Sequence, residues 1–586
     1  MPILPILLVF RITNSLLTKT FFQADEFWQA LEPAHLKAFK YGKLTWEWDY
    51  GLRSYAFSLI FELTYRCVIL ISYLTKILLT KVVEAISPSH FDGDKFPYMT
   101  YQELRELAVK LPSAFEYAGV IYGPKIVMAV IAALGEYYTI LLVRKIYLLT
   151  FDKRNEEKGT KVLTVVKVAT ILTLSNFFNC FVITRSFINS FEMSMTAISL
   201  YYWDWTQGMN IFTKDFSISL FIAIFTCLQR PSNVLIWLTL GSIMIINMLL
   251  NSKLYDIALL FLKITMVFLV AILVNTSIDY YFYGKLIFPI FRFIKFNFSS
   301  PLSRFYGVAP WHFHLVQSLP ILLGFNIPSF IYGMVTHLME RSILRNLSNP
   351  FVTIKTVIIM NLIVYSLLSH KEFRFIFPLQ PLFTLVSTFA YLKFSKDLKL
   401  KDKKYSALLW TIPFISILSS LIVSTFHEAA PIEIMKFLHD QTDADSIGFI
   451  MPCHSTPWQS YLHRNDISDL WSISCEPPLH LLEDPEALIK LDSYMDESDY
   501  FYDDIPKYIS EHFPPILNQT NVELKGEYNH TWPKYLIIFE HLDDAYFREY
   551  LQGTNYVEYT RFFNTLSHWD HRRAGDMIVY RQKSIV

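Results

Sequence analysis

The sequence predicts a mainly α-helical membrane protein: a polytopic bundle of about eleven transmembrane spans, followed by a globular mixed α/β domain. Three observations carry this reading. Of 586 residues only 18% are charged, and 52 basic and 52 acidic side chains cancel, whereas a soluble chain needs about a quarter of its residues charged to cover its outside. Apolar types make up 53% of the chain and aromatics 16%, and the mean hydropathy is positive. Apolar stretches near the length that crosses a ~30 Å hydrocarbon core recur up to about Val423 and then stop.

The same numbers exclude other classes. The 49 Phe and 35 Tyr exclude a disordered chain, and five Cys in so long a chain exclude a disulfide-stapled secreted module. A nucleic-acid binder carries a basic excess, which is lacking here.

The apolar stretches run, in order, over Ile3 to Leu17, Tyr55 to Leu79, Val127 to Leu149, Val162 to Val182, Phe216 to Leu228, Val234 to Leu250 and Ile257 to Val274. Leu315 to Val335, Val357 to Leu368, Phe375 to Leu392 and Leu408 to Val423 complete the set. The first is read as a retained helix rather than a signal peptide, because Arg11 interrupts it and no small-residue cleavage pattern precedes Phe21 and Phe22. Charge then divides the chain at residue 427: the tail holds about 27 acids against about 12 bases, leaving about 25 against about 40 before it. The expected organisation is a membrane unit, 1–426, containing a chemistry-bearing first loop, 21–54, and an acidic domain, 427–586.

In the tail, Asn518 and Asn529 stand in glycosylation acceptor tripeptides, which favours the lumenal side of the secretory pathway. Asn275, Asn297 and Asn346 stand in the same pattern but close to expected spans. Cys453 and Cys475, the two cysteines of the tail, are either an oxidised pair or two unrelated thiols. If first loop and tail are both lumenal and the N-terminus cytosolic, the number of spans is odd, and Lys401, Lys403 and Lys404 face the cytosol as the positive-inside rule prefers.

The first loop concentrates ionisable and aromatic groups. Asp25 and Glu26 are adjacent carboxylates at a membrane boundary, where charge is costly and marks function by default. The bland alternative is an acid pair at a helix N-terminus. Trp28, Glu32, His35, Trp46, Glu47, Trp48, Asp49 and Arg53 follow, a mix of rings and acids suited to binding sugars. His370, Lys371 and Arg374 lie between two apolar runs, where cations either flank helices or stabilise a departing phosphate. Arg185 and Arg230 each stand beside an apolar run, and at least one of them reads as a helix-end anchor. Trp311, His312 and His314 form a further boundary cluster. His454, Cys453 and His463 lack a second close ligand pair, so no metal is expected. No G-x-G-x-x-G or P-loop occurs, so no nucleotide or redox cofactor is expected.

Several segments together resemble a known family. FQADEFWQALEPAH, YGKLTWEW and GLRSYAF in the first loop are similar to the first lumenal loop of the GT-C superfamily of membrane glycosyltransferases, in the branch of glycosyltransferase family 22 that builds glycosylphosphatidylinositol (GPI) anchors. Thr184-Arg185-Ser186-Phe187 with Asn189, Ser190 and Glu192 resembles a family segment, with departures at Ile188 and Phe191. Arg230-Pro231, Asp279-Tyr280 with Tyr283-Gly284, the run from Phe305 to His314, and HKEFRF from His370 resemble others in the same order, as do PCHSTPWQSYLH, WPKYLIIFE and HWDHRRAGDMIVY in the tail.

The resemblance implies a GT-C bundle in the endoplasmic reticulum membrane with a lumenal active site. It implies dolichyl phosphate mannose as donor and a GPI-precursor glycolipid as acceptor, extended by an α1,2-linked third mannose. A β donor giving an α product inverts in one displacement, which asks for a single carboxylate base. Asp25 is expected to be that base, with Glu26 in support. His370, Lys371, Arg374 and Arg185 are the expected phosphate contacts, and Trp28, Glu32, Trp46, Glu47, Arg53, Trp311 and His312 the expected acceptor and sugar contacts. The alternatives are another family 22 α-mannosyltransferase, which differs in acceptor, and a lipid or sugar transporter. A transporter usually shows repeated halves with Gly breaks; no internal repeat is seen, and 17 Gly are few. A non-catalytic scaffold leaves an acid pair and a cationic motif at one boundary unexplained.

Overall fold

A computed structural model describes residues 3–85, 101–151, 158–296, 307–336, 348–397, 403–482, 484–516 and 528–583. Its helices in chain order are α1 (Ile3–Leu17), α2 (Glu32–Phe39), α3 (Trp46–Asp49), α4 (Ala56–Ala85), α5 (Tyr101–Phe151), α6 (Lys158–Leu174), α7 (Phe177–Val182), α8 (Ile188–Tyr202) and α9 (Lys214–Gln229). There follow α10 (Val234–Leu250), α11 (Leu254–Tyr283), α12 (Pro289–Ile294), α13 (Leu319–Leu323), α14 (Ile327–Val335), α15 (Pro350–Leu367), α16 (Gln380–Asp397), α17 (Lys403–Phe426) and α18 (Ala430–Asp440).

Among the described residues six helices are long and apolar enough to cross a membrane, or seven if the bent pair of α17 and α18 is one span. The expectation of about eleven differs because several apolar runs fold into helices that are short or interrupted; α1 has 15 residues and α6 has 17. Lipid accepts a helix because its backbone bonds close within the segment. Where α6 breaks, Asn176 closes the gap: its side chain accepts from the Asn179 N–H at 2.8 Å and donates to the Leu322 carbonyl at 2.8 Å.

Two segments exchange roles relative to the sequence pattern. Tyr55 to Leu79 was expected to span, but α4 carries Glu62, Arg66, Lys76 and Lys81 and packs along the first half of α5, with Ser72 donating to the Pro112 carbonyl and Val68 against Gly119. The span Tyr101–Thr150 has 50 residues, about 75 Å of helix and more than twice a hydrocarbon core. Its second half alone lies against α1, starting where Ser15 donates to the Lys125 carbonyl and Lys125 to the Thr18 carbonyl. The hairpin of α4 with the first half of α5 therefore extends beyond the end of the bundle that carries the first loop, here termed the loop face.

Helix α8, in contrast, runs through the bundle although its sequence is not an apolar run. Asn189, Ser190, Glu192, Ser194, Thr196 and Ser199 are all buried. Its polar atoms pair with neighbouring helices, as Ser199 does with the Ser219 carbonyl at 2.8 Å. Small residues let the backbones approach: a Cβ on Gly135 would come within 2.6 Å of Ser194.

Deep between α1 and α5, Arg11 donates from Nε to Glu136 Oε2 at 2.8 Å and makes a second bond through Nη2, with both side chains buried. This pair joins the two helices from which the loop face is built. Beyond α17 the chain forms a five-stranded sheet of β1 (Ser446–Ile450), β2 (Asp469–Ser472), β3 (Tyr535–Phe539), β4 (Tyr556–Thr565) and β5 (Gly575–Gln582), in the order β2-β1-β3-β5-β4. β1 is parallel to β2 and β3, and β5 is antiparallel to β3 and β4.

Strand alternation decides what the sheet touches. Ile447, Phe449, Tyr535, Ile537, Met577 and Val579 share one core with Phe21, Phe27 and Trp28 of the first loop, whereas Leu536, Ile538, Ile578 and Tyr580 pack on Phe501, Tyr508 and Ile509 on the other side. Loop and tail meet on the same face: Lys19 N donates to Ser424 O at 2.9 Å and Phe21 N to Glu428 O at 2.8 Å.

Removing one partner of a buried pair strands the other charge. Arg11→Met is expected to cost about 3–5 kcal/mol, read as a lowered Tm of the detergent-purified protein, and adding Glu136→Leu to recover most of it.

Candidate active site

The first loop leaves α1 and turns back at Ala24, whose carbonyl accepts from the amides of Phe27 and Trp28 at 3.0 and 2.9 Å. A π-helical turn follows over Phe27–Leu31, closed by the Glu32 amide on the Phe27 carbonyl, and Pro33 starts α2 at a position where no N–H is needed. Phe21 stacks on Phe27 with centroids 5.2 Å apart. This frame sends the two adjacent carboxylates in different directions.

Glu26 goes inward. It accepts from the amides of Phe22 at 3.1 Å and Gln23 at 3.2 Å and lies 3.4 Å from Arg185. Burial pushes it above the ordinary carboxylate range against the pull of Arg185. Arg185 is engaged on every side: Nε donates to the Phe181 carbonyl at 2.8 Å, Nη1 to the Thr20 carbonyl at 2.7 Å, and Nη2 to Thr20 Oγ1 at 2.7 Å. Expected as a phosphate contact, it sits here as the brace of the first loop.

Asp25 goes outward and is bonded to Nη1 of Arg374, 349 residues away. Arg374 Nη2 donates to Glu372 at 2.9 Å, and its guanidinium lies over the Phe187 ring at 5.2 Å. Burial opposes ionisation of Glu372, yet Arg374 and His370 hold it well below the usual carboxylate range. His370 bonds Glu372 at 3.3 Å and the Gly307 carbonyl at 2.9 Å, and Lys371 donates to the Ala309 carbonyl at 2.7 Å. The motif is thus folded against the start of the 307–336 segment, where Trp311 and His312 stand exposed and His314 is buried.

Two further cations face the same place. Arg53 is bonded to Glu47 at 2.6 Å and is electrostatically coupled to Asp25 and Arg374. Arg230, 8% exposed, is coupled to Arg374, Arg53 and Asp25, and burial lowers its basicity. Its ion pair with Glu192 is 3.8 Å long, and its Nε has no hydrogen-bond partner among the described residues. Glu192 is meanwhile bonded by Asn233 at 3.0 Å and Asn189 at 3.3 Å. A small cavity opens between Arg53 and Arg230, lined also by Ser54, Gln229 and Pro289.

Sequence reasoning read at least one of Arg185 and Arg230 as a helix-end anchor and did not place Arg230 among the expected site residues. Its signal was a buried guanidinium that the chain does not saturate, and only the packing of α8, α9 and the first loop reveals it.

Other expected contacts are committed to the tail. Glu32 is buried and accepts from the amides of Trp458 at 2.8 Å and Ser460 at 3.1 Å and from Ser460 Oγ at 2.6 Å. Trp28 is buried, donates to the Thr456 carbonyl at 3.1 Å, and packs edge-on against His454 at 4.9 Å. Neither presents a polar atom to a sugar. Trp46 packs on Phe296 at 5.6 Å.

Cys453 and Cys475 are joined as a disulfide with Cα atoms 5.8 Å apart. The bond shapes the loop that puts His454, in the left-handed region at φ 53°, on Trp28. Burial holds His454 at about 4, with Lys43 lowering and Asp25 raising it. Cys453, His454 and Cys475 lie close enough to ligate a metal, but sulfurs in a disulfide do not offer thiolates. A second join links α2 to the tail: His35 Nε2 bonds His463 Nδ1 at 2.9 Å, and burial with His463 pushes His35 down to about 3.

Fold and site define the class. The chain shares the GT-C fold of ArnT from Cupriavidus metallidurans bound to undecaprenyl phosphate, with a TM-score of 0.52 covering 98% of this chain and 96% of that one at 8% sequence identity. It is a multi-pass membrane enzyme with a carboxylate held against cations at one boundary. The chain belongs to the Alg9-like mannosyltransferase family, whose description matches residues 3–463. It is similar to GPI mannosyltransferase 3 of Saccharomyces cerevisiae, 52% identical over 582 residues covering 98% of this chain and 94% of that protein. It is likewise similar to GPI mannosyltransferase 3 of Kluyveromyces lactis, 49% identical with 98% of both covered.

The loop-to-tail join has a pH signature. Burial, against the hydrogen bonds of Ser460 and Trp458, raises Glu32 from 4.5 to about 7, so its contribution to folding is full below the unfolded value and is lost as pH rises through the folded one. The Tm of the wild type is expected to fall between about pH 4.5 and about pH 7, and that of Glu32→Gln to fall less, as followed by differential scanning fluorimetry.

Proposed function

We propose that the protein transfers mannose from dolichyl phosphate mannose to the second mannose of a GPI-anchor precursor, in the endoplasmic reticulum membrane with site and tail lumenal. The relatives named GPI mannosyltransferase 3 support the acceptor class, and the polyprenyl phosphate bound by ArnT supports a lipid-phosphate donor. The observation that carries the chemistry is Asp25 strapped to Arg374, with Arg53 and Arg230 lining one cavity within electrostatic reach of the pair.

In this reading the acceptor hydroxyl attacks the anomeric carbon as the bond to the phosphate oxygen breaks, the configuration inverts, and the hydroxyl proton passes to Asp25. Inversion needs one base on the face away from the leaving group. Glu26, turned inward on Arg185, supports the loop and takes no proton. The departing phosphate gains negative charge, and fixed guanidiniums in a water-poor site stabilise it without rearranging. Arg230 with Arg53 is assigned to that charge, while Arg374 holds the base; His370 and Lys371, each bonded to a backbone carbonyl of the 307–309 stretch, shape the wall of the site. Glu47, Trp311 and His312 remain as acceptor contacts. No residue set for a divalent ion is needed, because the group that leaves is a polyprenyl phosphate monoester, with no diphosphate to neutralise.

Asn529, exposed at the foot of the tail and bonded to His512 at 2.9 Å, is proposed as a glycan site on the lumenal side; Asn518 lies outside the described residues. Loss of an endoglycosidase-sensitive mobility shift in Asn529→Gln checks the orientation.

In microsomes given labelled dolichyl phosphate mannose and a two-mannose precursor, wild type is expected to make a three-mannose product, and Asp25→Asn to lose about 10²–10⁴ in rate with normal membrane insertion. Activity of Asp25→Asn at the wild-type level removes the base assignment. Extension of a dolichol-linked oligosaccharide instead assigns the chain to another acceptor of the same family. Arg230→Met is expected to lose about 10²–10³ in kcat/KM, while Arg185→Met lowers Tm more than it lowers the specific activity of the folded fraction.

A further inference from the structure

The connection between β4 and β5, residues 566–574, is built inside out for a surface loop in water. Polar groups along it bond one another: Ser567 N donates to Thr565 Oγ1 at 3.3 Å, Asp570 N to His568 Nδ1 at 3.0 Å, and Arg572 N to Asp570 at 3.2 Å. Arg572 also bonds Asp570 through Nη2 at 2.9 Å. Its two large apolar side chains stand outward, Leu566 at 92% and Trp569 at 90% exposure. The loop is held in one shape, so their exposure is not a consequence of slack.

The loop is also fixed beside the end of a membrane helix. α17 ends at Phe426, itself 60% exposed. The next two residues carry the loop: Thr565 Oγ1 bonds His427 Nδ1 at 3.0 Å, Glu428 N donates to the Asn564 carbonyl at 2.9 Å, and His568 Nε2 lies 3.1 Å from Glu428. On the other side of Glu428 is Phe21 N, at the start of the first loop. Leu566 and Trp569 therefore stand where the helical bundle stops, at the level at which Trp is enriched in membrane proteins, with His571 and Arg572 beside them.

We propose that this loop is a bilayer anchor: Leu566 and Trp569 insert into the leaflet on the loop face and hold the tail at a fixed height over Asp25. The consequence for the site runs through two bonds. Arg573 donates to the Cys453 carbonyl at 3.3 Å, and Cys453 carries the loop that sets His454 on Trp28. A leaflet contact at Trp569 is thus joined through a few rigid residues to the backing of the catalytic turn. A substrate whose reacting group hangs from a lipid presents it at one depth, and an enzyme clamped to the same leaflet meets it there.

The test uses the full-length protein in nanodiscs of phosphatidylcholine and phosphatidylinositol. In a Cys67→Ser background, which removes the exposed native thiol, Leu566→Cys and Trp569→Cys are labelled in turn with an environment-sensitive fluorophore. Ile489→Cys, on a tail helix at 75% exposure, is the aqueous reference. The labels at 566 and 569 are expected to emit at shorter wavelength and to lose most of their signal to a lipid-borne nitroxide and little to iodide, with the reverse at 489. Iodide quenching at 566 and 569 equal to that at 489 overturns the anchor. So does a label shielded from both quenchers in native membranes yet open to iodide in nanodiscs, which assigns the patch to a protein partner.

Discussion

A charge at the edge of a bilayer is costly unless an opposite charge sits beside it, and this chain meets that constraint by pairing residues that are remote in sequence. Arg374 reaches Asp25 across 349 positions, Arg185 reaches Glu26 across 159, and Arg11 reaches Glu136 across 125. Each pair ties the first loop or its supporting helix to a different part of the bundle. The loop is consequently held in one conformation at the boundary, which is the condition for a carboxylate to act at a set position.

The arginines differ in how completely they are satisfied, and the roles proposed for them rest on that difference. Arg11 and Arg185 are bonded on all sides and serve the fold. Arg230 is buried with a 3.8 Å ion pair and an Nε that lacks a partner among the described residues. Leaving a guanidinium in that state costs folding energy, which under the proposed function is recovered when the lipid phosphate enters. Stability and chemistry here draw on the same electrostatics with opposite requirements.

The sheet of the tail is part of the same device. Alternation along β3 gives one face to Phe501, Tyr508 and Ile509 and the other to Phe21, Phe27 and Trp28, so the first-loop turn is packed on a sheet formed more than 400 residues downstream. Glu32, Trp28 and His35 complete that join through hydrogen bonds to Ser460, Thr456 and His463. Acids and rings in the first loop that resemble a sugar-binding surface in the sequence are in large part the contact surface for the tail.

Composition and hydropathy by themselves determined that the chain is a helical membrane protein with a separate acidic end, because lipid selects for apolar length whatever the neighbours are. Residue types in order located the acid pair and the HKEFR motif, which the fold brings together at one boundary through Asp25 and Arg374. Tertiary structure decided the rest. Helix α8 escaped notice because its buried side is polar, satisfied by partners such as Val182 on α7, Ser219 on α9 and Asn233 that no local pattern announces, and α4 left the set of spans because it has the hairpin of α5 to pack on. Which carboxylate turns outward, which arginine is saturated and which is left short of partners depend on distances between segments hundreds of residues apart. Side-chain type sets what a group can do, but burial and partners set what it does.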